Sequence, residues 1–250
     1  MTESIGTITL NNPAKRNALN KTLIEELITT LEDFGKASAK AVVVRAASDA
    51  KVWSSGLDIS ELSQHPDPLS YSDPLERAIR AVKNFPAPVI AMVHGSVWGG
   101  ATDLLLSCDI VIGDETCSFA ITFVNLGLPY NTTGLMQFMK RIPLNFVKEM
   151  FFTAAPVKAA DAEKWGILNH LVQSDELEEF TYDMARLITT KAPLAVSVVK
   201  EQLRILADAF ITPEIFERIQ ELRQIAFQSE DYREGLRTFF EKRKPVFTGK

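Results

Sequence analysis

The chain has 250 residues, 46% of them hydrophobic and 24% charged, which excludes a disordered polymer and is most simply one α/β domain with a helical appendage. A net charge of −5, with Lys and Arg scattered until the last dozen residues, argues against a nucleic-acid surface. No signal-peptide pattern opens it and no apolar run approaches about 18 residues, so a soluble, cytoplasmic protein without membrane contact is expected.

Cys108 and Cys117 form no CxxC and read as buried, reduced thiols. His65, His94 and His170 lack metal-ligand spacing, and no metal is expected.

Ile5 to Leu10 alternate apolar residues with Gly or Thr, as a strand does, until Asn11-Asn12-Pro13 ends the pattern. Asn20 or Thr22 then caps a helix with the apolar stripe Leu23, Leu27, Leu31 and Phe34. Ala41 to Val44 form a wholly apolar strand, followed by the small-residue turn WSSGLDI from Trp53 to Ile59. The Pro-rich stretch from His65 to Pro74 is irregular and suits either a mobile flap or a plain surface loop. Leu75 to Asn84 predict a helix, and the break from Phe85 to Pro88 delivers the chain into Val89 to Val93. That run is too uniformly apolar for a half-wet strand and predicts burial on both faces.

Gly95, Gly99 and Gly100 make the next turn, and Ala101 to Ser107 a helix whose first N–H groups point back into it. Such a turn either cradles an anion or simply packs strand on helix. The spacing from Gly95 to Thr102 mimics a P-loop, but Ala101 stands at the lysine position, which argues against an NTPase. Ile110 to Ile112 predict another buried strand, and Trp165 to Val172 is the one late strand candidate. Helices dominate from Thr132 onward, with Pro193 opening one, Thr212-Pro213 capping another and Ser229 preceding the last.

Alternating strand and helix in the first half predicts parallel pairing through right-handed crossovers. If Ala41–Val44 and Val89–Val93 are neighbours, both small-residue turns leave the same carboxyl edge of the sheet. One backbone N–H from each then converges on one oxygen, the geometry of an oxyanion hole.

Taken together, PAKRNAL from Pro13 to Leu19, SSGLDI from Ser54 to Ile59, Gly95 to Gly100, Asn125 to Gly127, Ala160 to Gly166 and Glu241 to Lys244 resemble the crotonase, or enoyl-CoA hydratase/isomerase, superfamily over nearly the whole length. The resemblance implies an α/β spiral of ββα units over residues 1–190 with a C-terminal helical region over 191–250. It also implies assembly as homotrimers or dimers of trimers, and an acyl-CoA thioester as substrate with no cofactor beyond its own CoA. By position, the amides of Leu57 and Gly100 would be the two oxyanion donors. Arg16, Ser55, Gly56, Asp58 and Ile59 would line the CoA, and Lys242, from this or a neighbouring subunit, would approach its phosphates.

Hydratases of the superfamily use two glutamates to activate water, at positions that here hold Asp103 and Phe123. With the second carboxylate missing, Asp103 is left either as a remnant or as a residue favouring the helix N-terminal dipole. TFVNLGLPYN from Thr122 to Asn131 instead resembles the branch that decarboxylates methylmalonyl-type thioesters, although Leu57 replaces that branch's histidine. This implies that Thr122 and Tyr130 hydrogen-bond the departing carboxylate while Phe123, Trp98 and Phe119 keep the pocket apolar, Phe119 otherwise being core. Enoyl-CoA hydration or isomerisation is the alternative activity. A serine nucleophile at Ser96 and a non-catalytic RNA-binding relative are the competing classes, the first lacking a G-x-S-x-G and the second a basic stripe.

Overall fold

Strands made wholly of apolar residues must be covered on both faces, and that requirement organises the fold. The computed structural model describes residues 1–62, 69–207 and 213–246. Its strands are β1 (Ile5–Leu10), β2 (Ala41–Ala46), β3 (Val52–Ser54), β4 (Val89–Val93), β5 (Ser96–Trp98), β6 (Ile110–Asp114), β7 (Ser118–Ala120), β8 (Val157–Lys158) and β9 (His170–Val172). Its helices are α1 (Lys21–Lys36), α2 (Ile59–Leu62), α3 (Pro74–Asn84), α4 (Gly100–Leu106), α5 (Thr132–Arg141), α6 (Leu144–Thr153), α7 (Ala159–Trp165), α8 (Leu177–Thr189), α9 (Pro193–Ala207), α10 (Pro213–Phe227) and α11 (Glu230–Glu241). None of the described helices is long and apolar enough to cross a membrane.

One sheet has the order β1-β2-β4-β6-β9 and is parallel throughout. The second has the order β3-β5-β7-β8, parallel except where β8 pairs antiparallel with β7. On one face of the first sheet, Leu177 and Ala185 of α8 pack against Ala41, Val43, Ile90 and Met92. The alternate residues Val42, Val44, Val89, Ala91 and Val93 enter the main core, which also holds Leu27 and Leu31 of α1 and Ala78, Ile79 and Val82 of α3. Both faces of β2 and β4 are thus dry, as their sequences require. Asn20 is the cap of α1, its Oδ1 accepting from Leu23 N–H at 2.9 Å, and Ser229 caps α11 by accepting from Tyr232 N–H at 3.0 Å.

Three differences from the sequence reading have local causes. Trp53 and Ser54 belong to β3, not to the turn, and Ser96 to Trp98 form β5 in the second sheet. Strands this short carry no period of their own and exist because their neighbours pair with them. The late strand is only His170–Val172, because Trp165 closes α7 by stacking on Phe146 and Gly166 ends the helix at φ 86°. Residues 63–68, with the first four of the ten flap-candidate residues, lie outside the described residues, as does Thr212.

Candidate active site

The turn that follows β3 is held from the side by the segment Pro13–Leu19. Buried Asn17 donates from Nδ2 to Trp53 O at 3.1 Å, Ser54 Oγ donates to Asn17 O at 2.7 Å, and Leu19 N–H donates to Gly56 O at 2.7 Å. Two motifs about forty residues apart in sequence are therefore one piece of structure.

This turn rests directly on the one that opens α4. Gly56 has φ +87°, and a Cβ there would sit 2.5 Å from Trp98 O and 3.5 Å from Gly100 N, so glycine alone allows the approach. Gly99 caps α4 at φ 53° and ψ −127°, again outside the range of other residues. Leu57 N–H and Gly100 N–H donate to no acceptor among the described residues. Gly100 is the first residue of its helix, where an amide has no intrahelical partner. Two free amides from touching turns can receive one oxygen that gains negative charge.

One helical turn beyond Gly100, Asp103 is 1% exposed. Tyr130 Oη donates to its Oδ2 at 3.0 Å, while Oδ1 has no partner. Burial first, and then the Glu76 carboxylate, push the Asp103 carboxyl up to about 7. Burial followed by the Asp103 charge raises the Tyr130 phenol well above its ordinary value. The Tyr130 ring is wedged edge-on between Phe123, Phe138 and Phe151, with centroids 5.1, 6.0 and 5.2 Å away. Phe123 also lies 3.5 Å from the Cβ position of Gly99, with Thr122 Oγ1 at 3.7 Å. Thr122 precedes a 3-10 turn, Phe123–Leu126, without a side-chain cap bond. The Thr122 hydroxyl thus lies beside the oxyanion turn, and the Tyr130 ring packs on Phe123 next to it with its hydroxyl on Asp103.

Asp103, read from the sequence as a remnant or a dipole residue, is buried in the first turn of α4 and is the hydrogen-bond partner of Tyr130. Phe119 is wholly buried in β7 and belongs to the core, whereas Trp98 is half-buried. Glu76 and Asn131 were missed. Glu76 lies on the buried face of α3 among Leu75, Ile79 and Val82, the one signal that its carboxylate is not on a solvated face.

Of the expected CoA-contacting residues, the structure brings Arg16, Ser55, Gly56, Asp58 and Ile59 together. Ser55 N–H donates to Arg16 O at 3.0 Å, and the Asp58 carboxylate pairs with Lys15 at 2.7 Å and accepts from Ser60 Oγ at 2.6 Å. The Asp58 side chain is thereby committed to shaping the turn. Lys242 ends α11 in an exposed left-handed conformation, and no contact joins it to this turn among the described residues. α11 itself returns to the site by packing on Phe123–Leu126, with the Cβ position of Gly235 2.2 Å from Leu126 O.

The serine-nucleophile reading has no relay. Ser96, His94 and Asp114 line a cavity of about 680 Å³, but His94 Nε2 has no partner and the Asp114 carboxylate is taken by Thr116 and Ser174. Burial pushes the Cys108 thiol up to about 12 and the Cys117 thiol higher, so neither is a thiolate near neutrality.

Two touching glycine turns with paired free amides, on a parallel sheet with a returning helical tail, define a crotonase-type α/β fold. A family model for enoyl-CoA hydratase/isomerase matches residues 1–250, and the chain belongs to that family. Within it, the chain is 46% identical over 247 residues to the methylmalonyl-CoA decarboxylase of Escherichia coli (strain K12), covering 98% of this chain and 95% of that protein. It is 31% identical over 251 residues to the Homo sapiens mitochondrial enoyl-CoA hydratase domain-containing protein 3, covering 98% and 81%. A solved structure of methylmalonyl-CoA decarboxylase in complex with 2-nitronate-propionyl-CoA superposes with a TM-score of 0.97 at 45% identity, over 100% of this chain and 97% of that one.

Proposed function

We propose that this protein is a carboxy-lyase that converts methylmalonyl-CoA, or a closely related malonyl-type thioester, into propionyl-CoA and CO₂. The observation that carries the reading is what surrounds the two amides: Phe123 is buried beside them where hydration would need a second carboxylate, and two hydroxyls stand next to it. Identity of 46% to a methylmalonyl-CoA decarboxylase supports it.

In this reading the bond between Cα and the carboxylate carbon breaks and CO₂ leaves. The electron pair of that bond forms the Cα=C bond of an enolate, whose negative charge falls on the thioester oxygen. Leu57 and Gly100 amides stabilise that charge, and no base is required. Thr122 and Tyr130 hold the carboxylate out of the thioester plane, and the enolate then takes one proton at Cα to give propionyl-CoA. Arg16, Ser55, Gly56, Asp58 and Ile59 bind the CoA chain, Asp58 by fixing the turn against Lys15, and Lys242 meets the phosphates. No cofactor takes part beyond the CoA of the substrate.

A homotrimer or a dimer of trimers accompanies the reading, supported by the exposed apolar residues Leu194, Leu203 and Leu206 on α9. A cytoplasmic setting fits a CoA-linked substrate. Separate incubation with methylmalonyl-CoA, malonyl-CoA and crotonyl-CoA, followed by mass analysis, tests the activity. CO₂ loss from a malonyl-type thioester with no water added to crotonyl-CoA is expected. Hydration of crotonyl-CoA without CO₂ release would overturn it.

A further inference from the structure

A cavity of about 370 Å³ is lined by both Asp103 and Glu76. These carboxyl groups are 1% and 3% exposed. Two carboxylates buried at one cavity do not both ionise readily near neutrality. Their surroundings decide which one keeps the proton.

Glu76 has two donors and a nearby cation: Asn131 Nδ2 donates to its Oε1, Thr133 Oγ1 lies 3.3 Å from each oxygen, and the Arg80 guanidinium is 4.0 Å from Oε2 without a hydrogen bond. Asp103 has Tyr130 alone, and its Oδ1 is buried without a partner. Lys83, Lys140 and Arg204 also face the cavity and favour ionised carboxyls. On Asp103 the opposing effect of Glu76 exceeds that of Lys83. Burial raises the Glu76 carboxyl too, but Asn131, Thr133 and the nearby cations oppose that rise, whereas Asp103 has one hydrogen bond against it, so of the two groups Asp103 is the one that holds the proton.

We propose that Glu76 is a positioning residue for the reaction: it keeps the proton on Asp103, which donates to Tyr130 Oη and so turns the Tyr130 proton outward to the substrate carboxylate. With Asp103 ionised the 3.0 Å contact is Tyr130 Oη donating to Oδ2; once Asp103 holds a proton, the same O–O distance lets its carboxyl O–H donate to Tyr130 Oη instead. When Asp103 ionises, Tyr130 must give its only proton inward, and only lone pairs then face the substrate anion. Asp103 and Glu76 touch no reacting atom; they act through Tyr130. The inference rests on the decarboxylase reading for the identity of that substrate.

Glu76→Gln removes the charge and keeps an acceptor for Asn131 and a donor for Thr133. The alkaline limb of kcat/KM for methylmalonyl-CoA then moves down by about one pH unit, or about tenfold in rate above both midpoints. A ¹³C NMR titration of the Asp103 carboxyl, which needs no turnover, moves down by the same amount. Glu76→Asp restores the upper midpoint, and Asp103→Asn removes the limb, since its amide donates to Tyr130 at every pH. An Asp103 midpoint that is unmoved in folded Glu76→Gln protein, or that rises, overturns the inference. If the wild-type protein releases no CO₂ from methylmalonyl-CoA, the decarboxylase reading fails instead, and the NMR midpoint still decides where the proton rests.

Discussion

Replacing Gly56 with alanine probes the contact between the two turns. At φ +87° an alanine pays about 1–2 kcal/mol in backbone strain. Its methyl group would also sit 2.5 Å from Trp98 O and 3.5 Å from Gly100 N, far inside contact distance of the first, so one turn has to move away from the other. The Leu57 and Gly100 amides then no longer converge on the same oxygen. Loss of one oxyanion donor raises a barrier by about 2.7–4 kcal/mol, a fall in kcat of about 100- to 1000-fold. KM should change little if, as proposed, Arg16 and Ser55 also hold the CoA chain. Steady-state CO₂ release gives both constants, and a thermal melt should show a loss of only a few degrees. A folded Gly56→Ala protein with kcat within about threefold of wild type would refute the two-amide site.

Asp103 also makes stability depend on pH in a stated direction. Its carboxyl is raised from the usual 3.8 to about 7, so the unfolded chain releases the proton near pH 4 while the folded protein keeps it until about 7. Stability is lost as pH rises through that window, by up to about 4 kcal/mol at about 1.4 kcal/mol per pH unit. Urea unfolding at pH 4, 6 and 8 should show Asp103→Asn gaining on wild type with each step, and a constant difference would contradict the buried, protonated carboxyl. Tyr130→Phe removes one hydrogen bond to a charged substrate group and should lower kcat about 10- to 100-fold while CoA affinity, measured by calorimetry, stays put. Unchanged turnover would assign Tyr130 to packing among Phe123, Phe138 and Phe151.

Long-range features whose constraint is local were legible in the sequence. Val89–Val93 admits no polar residue, so its burial on both faces follows, and Gly99 and Gly100 mark the backbone that has to bend after it. That Phe123 stands where hydratases carry a second glutamate came from the resemblance to the family and not from the residues around it. The strands β5, β7 and β8 were not legible, since two or three residues have no period and depend on partners elsewhere in the chain. Glu76, and the burial of Asp103, were not legible because a carboxylate on a helix ordinarily faces water. What makes them interior groups is Tyr130, 27 residues from Asp103, and Asn131, 55 from Glu76.

Carboxyl-labelled [¹³C]methylmalonyl-CoA in deuterated water follows the enolate most directly. Labelled CO₂ should appear together with propionyl-CoA carrying one deuterium at Cα, the mark of an enolate that is protonated after the carboxylate has left. Recovery of unreacted thioester with crotonyl-CoA hydrated under the same conditions would contradict the account.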